Sequence, residues 1–298
     1  MSSINLLILI ASLFVPSLIA VGLFWGYRKW QDRDGRRSPI EGRAIYGAAE
    51  QLRKRVDDLT DEIMTSFMIL IFLGPYFLAF WALQRVNWSH VSIRTGDYVL
   101  IAGFALMCAW AIWRLFRAGR VRRIANAGLQ AELYTAQELN RLMGLGCTVL
   151  HDIPGEQFNI DHVVIGPRAV YAIETKSVRK PRATASKNHF KVTYDGQCLR
   201  FPNFSDSKRL QQTKRQADWL TAYLRKTTGR TVPVIPALAL PGWWVDTTAA
   251  TDIRVFNPAG RGAHFMADQS AIAIDSGTVA LVTQALVMRY PADSASTK

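Results

Sequence analysis

Three apolar stretches, residues 4–27, 63–83 and 98–116, dominate the N-terminal part of this 298-residue chain. The first two carry no charged side chain, and the third is broken only near its end by Arg114. About 20 apolar residues in a helix cross a hydrocarbon layer of about 30 Å. An open strand or loop cannot, because its amides would lose their hydrogen-bond partners in lipid. Length and composition therefore predict three transmembrane helices and make residues 1–116 a membrane anchor. No cationic segment precedes the first stretch, and Arg28-Lys29 follow it. An uncleaved anchor is thus expected rather than a signal peptide. Gly74-Pro75 predicts a kink in the second helix, which neighbouring helices tolerate, and Arg114 can snorkel to the interface.

Charge orients these spans. Arg28, Lys29, Arg33, Arg36, Arg37, Arg43, Arg53, Lys54 and Arg55 follow the first, only Arg85 and Arg94 separate the second from the third, and Arg117, Arg120, Arg122 and Arg123 come after it. The positive-inside rule then puts the N-terminus outside and the C-terminal part in the cytoplasm. Trp25, Trp30, Trp81, Trp88, Trp110 and Trp113 sit near the predicted borders, as interfacial aromatics do. No charge lies deep within a span, which argues against a transporter or pore. Residues 40–61 fit either an amphipathic helix on the membrane or a solvated connector.

From residue 117 the pattern becomes that of a mixed α/β domain reaching to 290, followed by a polar tail, 291–298. A helix is predicted over 124–143, running into Gly144 and Gly146, with a strand from Thr148. Hairpins are predicted around Gly166-Pro167 and Asp195-Gly196. Residues 208–226 place Leu210, Ala217, Leu220 and Leu224 at core-facing helical spacing, with Gly229 as the stop. Strands over 232–240 and 253–256 and a helix over 278–289, behind Asp275-Ser276, complete the domain. Three cysteines without metal-ligand spacing argue against a disulfide framework. No phosphate-cradling Gly-x-x-x-x-Gly-Lys-Ser/Thr loop is present.

Within the first hairpin, Asp161 lies on one strand and Glu174 and Lys176 on the next. Side chains alternate faces along a strand, so Glu174 and Lys176 share one side and Asp161 can come alongside. Two carboxylates and an ammonium on an apolar scaffold suit a hard divalent cation, with the lysine polarising an attacking water. The plainer reading is a solvated pairing of Glu174 with Lys176 or Arg179, worth little. His162 directly follows Asp161 and is expected on the opposite face. His151-Asp152 is too weak a signal for a metal site.

This hairpin resembles the nuclease-related (NERD) domain, a branch of the restriction-endonuclease-like PD-(D/E)-x-K superfamily. Asn159-Ile160-Asp161-His162 followed by Ile173-Glu174-Thr175-Lys176 carries the likeness. Gly128-Leu129-Gln130-Ala131-Glu132 ahead of the 146–150 strand, and Gln212 on the 208–226 helix, extend it over roughly residues 126–260. Ile160 stands where the superfamily has proline, and Lys208-Arg209 replace the Asn-Pro that often precedes the family's glutamine. Gln211 and Gln216 therefore remain rivals to Gln212. The resemblance implies a restriction-endonuclease-like α/β fold behind the membrane helices and catalytic roles for Asp161, Glu174, Lys176, Glu132 and Gln212. It also implies Mg²⁺, or alternatively Mn²⁺, held by Asp161, Glu174, the Thr175 carbonyl and Glu132.

The formal charge of +13 exceeds what membrane topology needs. Lys176, Arg179, Lys180, Arg182, Lys187 and Lys191, then Lys208, Arg209, Lys214 and Arg215, surround the site in sequence and suit a phosphate backbone. No base-reading helix or aromatic-interleaved RNA motif is evident, so little base specificity is expected. The expectation is a metal-dependent nuclease anchored in a bacterial inner (plasma) membrane, acting on nucleic acid, DNA first, at the cytoplasmic face. The alternative is a non-catalytic nucleic-acid-binding or scaffold/sensor module on the membrane. The sequence identifies no protein partner.

Overall fold

A computed structural model describes residues 47–83, 95–181, 188–270 and 273–290. The first predicted span, the cations of residues 28–43, Arg85, Trp88, Arg94, Arg182, Lys187 and the tail 291–298 lie outside the described residues. The chain divides into two compact units, residues 1–41 with 55–124, and residues 42–54 with 125–298.

α1 (Glu50–Leu83) and α2 (Thr95–Asn140), the greater part of each in the first unit, are both long and apolar enough to cross a membrane. Arg114 Nε donates to Glu62 at 2.9 Å, Arg122 Nε to Thr60 Oγ1 at 2.7 Å, and Phe77 and Phe104 meet at 4.5 Å. Rising numbers on α2 meet falling numbers on α1, so the two helices pair antiparallel. Ala79 and Ala111 are buried, whereas Phe67, Ile71, Leu78, Phe80, Leu106 and Phe116 face outward. Large outward apolar side chains suit lipid rather than water.

Both helices outrun the predicted spans. Residues 50–61 are the first turns of α1. The helix expected over 124–143 is the continuation of the third span as far as Asn140. Composition changes near residue 117, but no proline or cap interrupts the backbone there, so nothing ends the helix.

In the second unit, β1 (Thr148–Pro154), β2 (Asn159–Ile165) and β3 (Val170–Thr175) form an antiparallel meander. β4 (Lys191–Tyr194), β5 (Leu199–Arg200), β6 (Ser205–Asp206) and α3 (Lys208–Thr228) follow. Then come β7 (Val234–Ala239), β8 (Trp244–Thr247), β9 (Arg254–Phe256) and α4 (Ser276–Val287). β7 returns parallel beside β3 and β9 parallel beside β7, giving a sheet of order β1-β2-β3-β7-β9. A smaller sheet has the order β6-β5-β4-β8. β6 and β8 were not anticipated, being short and without an alternating apolar pattern.

The fold is thus α/β, with long N-terminal apolar helices ahead of a sheet-containing domain. Val163, Ile165, Val170 and Ala172 pack against Ala217, Leu220 and Leu224 of α3 and Val282 and Leu286 of α4. Val164, Tyr171 and Ile173 cover the other face with Leu139, Leu142 and Met266. Two-sided burial explains why β3 is apolar along its length until Glu174.

Candidate active site

Strand register brings the two acids together. His162 pairs with Ile173 and Val163 with Ala172, so Asp161, two residues from Val163, and Glu174, two from Ala172, both lie on the face that α3 covers. Asp161 Oδ2 accepts a hydrogen bond from the Thr175 amide at 2.7 Å. Lys176 extends the β3 ladder by donating its amide to Ala239 O at 3.1 Å. Its ammonium forms an ion pair with Glu174 Oε1. Glu174 is 3% exposed and the Lys176 side chain 29%, so a half-buried ammonium meets a buried carboxylate.

α3 supplies two amides, one turn apart. Gln212 Nε2 donates to Glu174 Oε1 at 2.8 Å and Gln216 Nε2 to Oε2 at 2.6 Å. Gln216 Nε2 also reaches Asn159 O at 3.1 Å. The i,i+4 spacing puts both on one helix face, whereas Gln211 points outward and is exposed. Gln212 and Gln216 therefore both donate to Glu174. The repeat Gln-x-x-x-Gln on an otherwise basic helix is the signal that could have identified the pair.

The electrostatics are those of crowded acids. Burial, then Glu174 and Glu132, push the Asp161 carboxyl well above its usual range, against the lowering effect of the Thr175 amide and Lys176. Glu132, half-buried on α2, is raised to about 7 by burial first and then by Glu174 and Asp152, with Lys176 opposing. Glu132 thus shares the field of Glu174 and Asp161, although it makes no hydrogen bond to either.

Asp152, a weak signal in the sequence, takes a defined place in the fold. It is buried at φ 51°, a left-handed conformation inside a strand, and its carboxylate accepts from Asn159 Nδ2 at 2.6 Å. Through the Asn159 carbonyl and Gln216 it connects to Glu174.

His162 faces away from the acids, as strand alternation requires. Its Nδ1 lies 2.9 Å from His151 Nδ1, and His151 Nε2 lies 3.0 Å from Asn140 Oδ1. With Asn140 Oδ1 accepting from His151 Nε2, His151 Nδ1 must accept from His162. This leaves His162 Nε2 as a buried lone pair with no partner. Burial lowers both imidazole pKa values, and the His151 charge lowers that of His162 further. The pair is structural, tying β1 to β2 and to the end of α2.

Residues 127–241 match the family model of the nuclease-related domain (NERD). No curated protein and no solved structure matches the chain. The match covers less than half of the chain, and its limits enclose Glu132, Asp161, Glu174, Thr175, Lys176, Gln212 and Gln216.

Proposed function

We propose that this protein is a membrane-anchored, divalent-cation-dependent nuclease that hydrolyses phosphodiester bonds of nucleic acid, with DNA the expected substrate. The observation that carries the reading is the convergence of Asp161, Glu174 and Lys176, with two glutamine amides on Glu174, inside the nuclease-related stretch. The exposed apolar faces of α1 and α2 support the anchor, and the distribution of Lys and Arg supports a cytoplasmic C-terminal domain with the N-terminus outside.

The donor set suits a hard cation. Asp161, Glu174, Glu132 and the Thr175 carbonyl all offer oxygen; burial first, and then repulsion among the acids, raises the Asp161 and Glu132 carboxyl pKa values, and a divalent cation would relieve that repulsion. Among the described residues no three acidic, histidine or cysteine side chains close into a preformed metal cage. Lys176 instead supplies the positive charge beside Glu174. Bound Mg²⁺, or Mn²⁺, would polarise a phosphate oxygen and lower the pKa of a bound water.

The chain's own residues do the rest. Gln212 and Gln216 hold both oxygens of Glu174, and the Thr175 amide holds Asp161, so neither carboxylate needs to reorganise during reaction. Lys176 places an ammonium where it can orient water and stabilise charge developing on the phosphate. Arg179, Lys208, Lys214 and Arg215 suit a phosphate backbone.

The test is full-length protein in detergent on plasmid, linear and single-stranded DNA with Mg²⁺, Mn²⁺ or EDTA, beside Asp161→Ala and Lys176→Ala. Metal-dependent cutting should fall at least about 10²-fold in each variant, as for loss of one preorganised group. Absence of cutting with every metal, with DNA binding intact and insensitive to both substitutions, would favour the non-catalytic binding module instead.

A further inference from the structure

The small sheet presents a second surface that the hydrolytic site does not use. Val192, Tyr194 and Leu199 turn inward to a core with Leu238, Leu240 and Trp243. Their alternates therefore form the outer face. Lys191 pairs with Trp244, Thr193 with Asp246 and Arg200, and Arg200 with Ser205, so Trp244, Lys191, Thr193 and Arg200 stand on one side. Trp244 is 65% exposed there. Beside it, Lys191, Thr193 and Arg200 line a groove of about 250 Å³ with Asn188, Phe201 and Pro202. Phe204, 43% exposed, stacks on Phe201 at 4.6 Å and carries the Arg209 guanidinium at 5.9 Å.

This face connects directly to the candidate site. Ala239 is the register partner of Thr175, and the chain reaches Trp244 five residues later, at most about 18 Å of extended backbone. The segment leaving Lys176 follows the same path, because Trp243 Nε1 donates to Val178 O at 3.0 Å and Lys180 lies 5.8 Å over the Trp243 ring.

We propose that this outer face binds unpaired nucleotides of the substrate, with one base stacked on Trp244 and the adjoining phosphates beside Lys191 and Arg200. The proposal rests on the nuclease reading and refines its substrate to nucleic acid with a single-stranded segment. Exposed aromatics set among ammonium and guanidinium groups suit bases joined by phosphates. An apolar protein partner would instead call for a contiguous hydrophobic patch. Lys191 is paired with Asp246 at 2.8 Å and Arg200 with Asp195 at 3.0 Å, both partly exposed. Exposed pairs are worth little and are readily exchanged for phosphate. Their acids also cut the electrostatic attraction, so stacking on Trp244 carries most of the affinity and its share is insensitive to salt.

The experiment measures binding by full-length protein in nanodiscs, with EDTA to prevent cutting. The probes are a short fluorescent oligothymidine and a blunt duplex of equal length. Trp244→Ala should weaken oligothymidine binding about tenfold, toward the low end for one stacked base, and leave duplex binding unchanged. The loss should be equal at low and high salt, and Trp244→Phe should restore most of it. Unchanged oligothymidine binding, equal losses on both probes, or failure of Phe to rescue would overturn the proposal while leaving the nuclease reading intact. If Trp244→Ala instead dissociates an oligomer without touching oligothymidine binding, the face belongs to a second copy and the proposal falls. Failure of the wild type to bind either probe would overturn the proposal, while the nuclease reading stands or falls on cutting with Mg²⁺ or Mn²⁺.

Discussion

Replacing Glu132 with glutamine should stabilise the cation-free protein, and only above acidic pH. Burial and the neighbouring acids raise this carboxyl from 4.5 to about 7. At about 1.4 kcal/mol per unit, ionising it in the folded state costs roughly 3 kcal/mol, or 2–3 after allowing for its partial exposure. The folded state holds the proton more tightly than the unfolded chain does. The favourable contribution is therefore complete below 4.5 and is lost as pH rises through about 7. Glu132→Gln keeps the shape and helix propensity while deleting the charge. Urea unfolding of full-length protein in detergent with EDTA, read by pulse proteolysis, is the assay. At pH 8 the variant's midpoint should rise by about 1 M, using a slope of about 2 kcal/mol per M, and at pH 4.5 the two proteins should coincide. Saturating Mg²⁺ should erase the advantage, because a cation that binds only the folded state stabilises the wild type. A gain that is independent of pH, or no gain at pH 8, would refute the crowded-acid account of this site.

Two further outcomes follow from the hydrogen bonds. Gln216→Leu leaves both Glu174 Oε2 and Asn159 O without their donor and should lower stability by about 2–3 kcal/mol, against about 1 for Gln212→Leu at its half-buried position; equal urea midpoints for the two variants would contradict this ranking. The His151–His162 pair, with folded pKa values below the ordinary 6.5, contributes stability that is held above pH 6.5 and lost as pH falls through it. His151→Gln should flatten that acid limb in the same assay, and an unaltered limb would show that other groups carry it.

The site was legible in the sequence to the extent that strand alternation and spacing could place it. Asp161, Glu174 and Lys176 stand around one short hairpin, and a two-residue period is enough to predict that the last two share a face. Gln212 was harder, because its sequence separation from Glu174 is spanned by the small sheet, and a helix face is assigned only by what it packs against. Gln216 looked like a competitor for one role until α3 was docked with both amides on the same carboxylate. Asp152 gave only a weak sequence signal, since its left-handed backbone and its contact with Asn159 exist only in the folded meander.

By itself, the sequence determined the long apolar helices, the α/β character of the following domain, the two hairpins and the identity of the acidic pair with its lysine. These depend on period, length and turn chemistry, all of which are local. Only the structure showed that the third apolar stretch and the helix after it form one continuous helical segment, because a change in composition does not break hydrogen bonds. It alone buried Glu174 and drew Glu132 into its field, since burial and Coulomb coupling depend on distance through space. It alone also gathered Trp244, Lys191 and Arg200 on one sheet face. These residues are far apart in the chain and belong to strands too short to announce themselves, and only their pairing makes a surface of them.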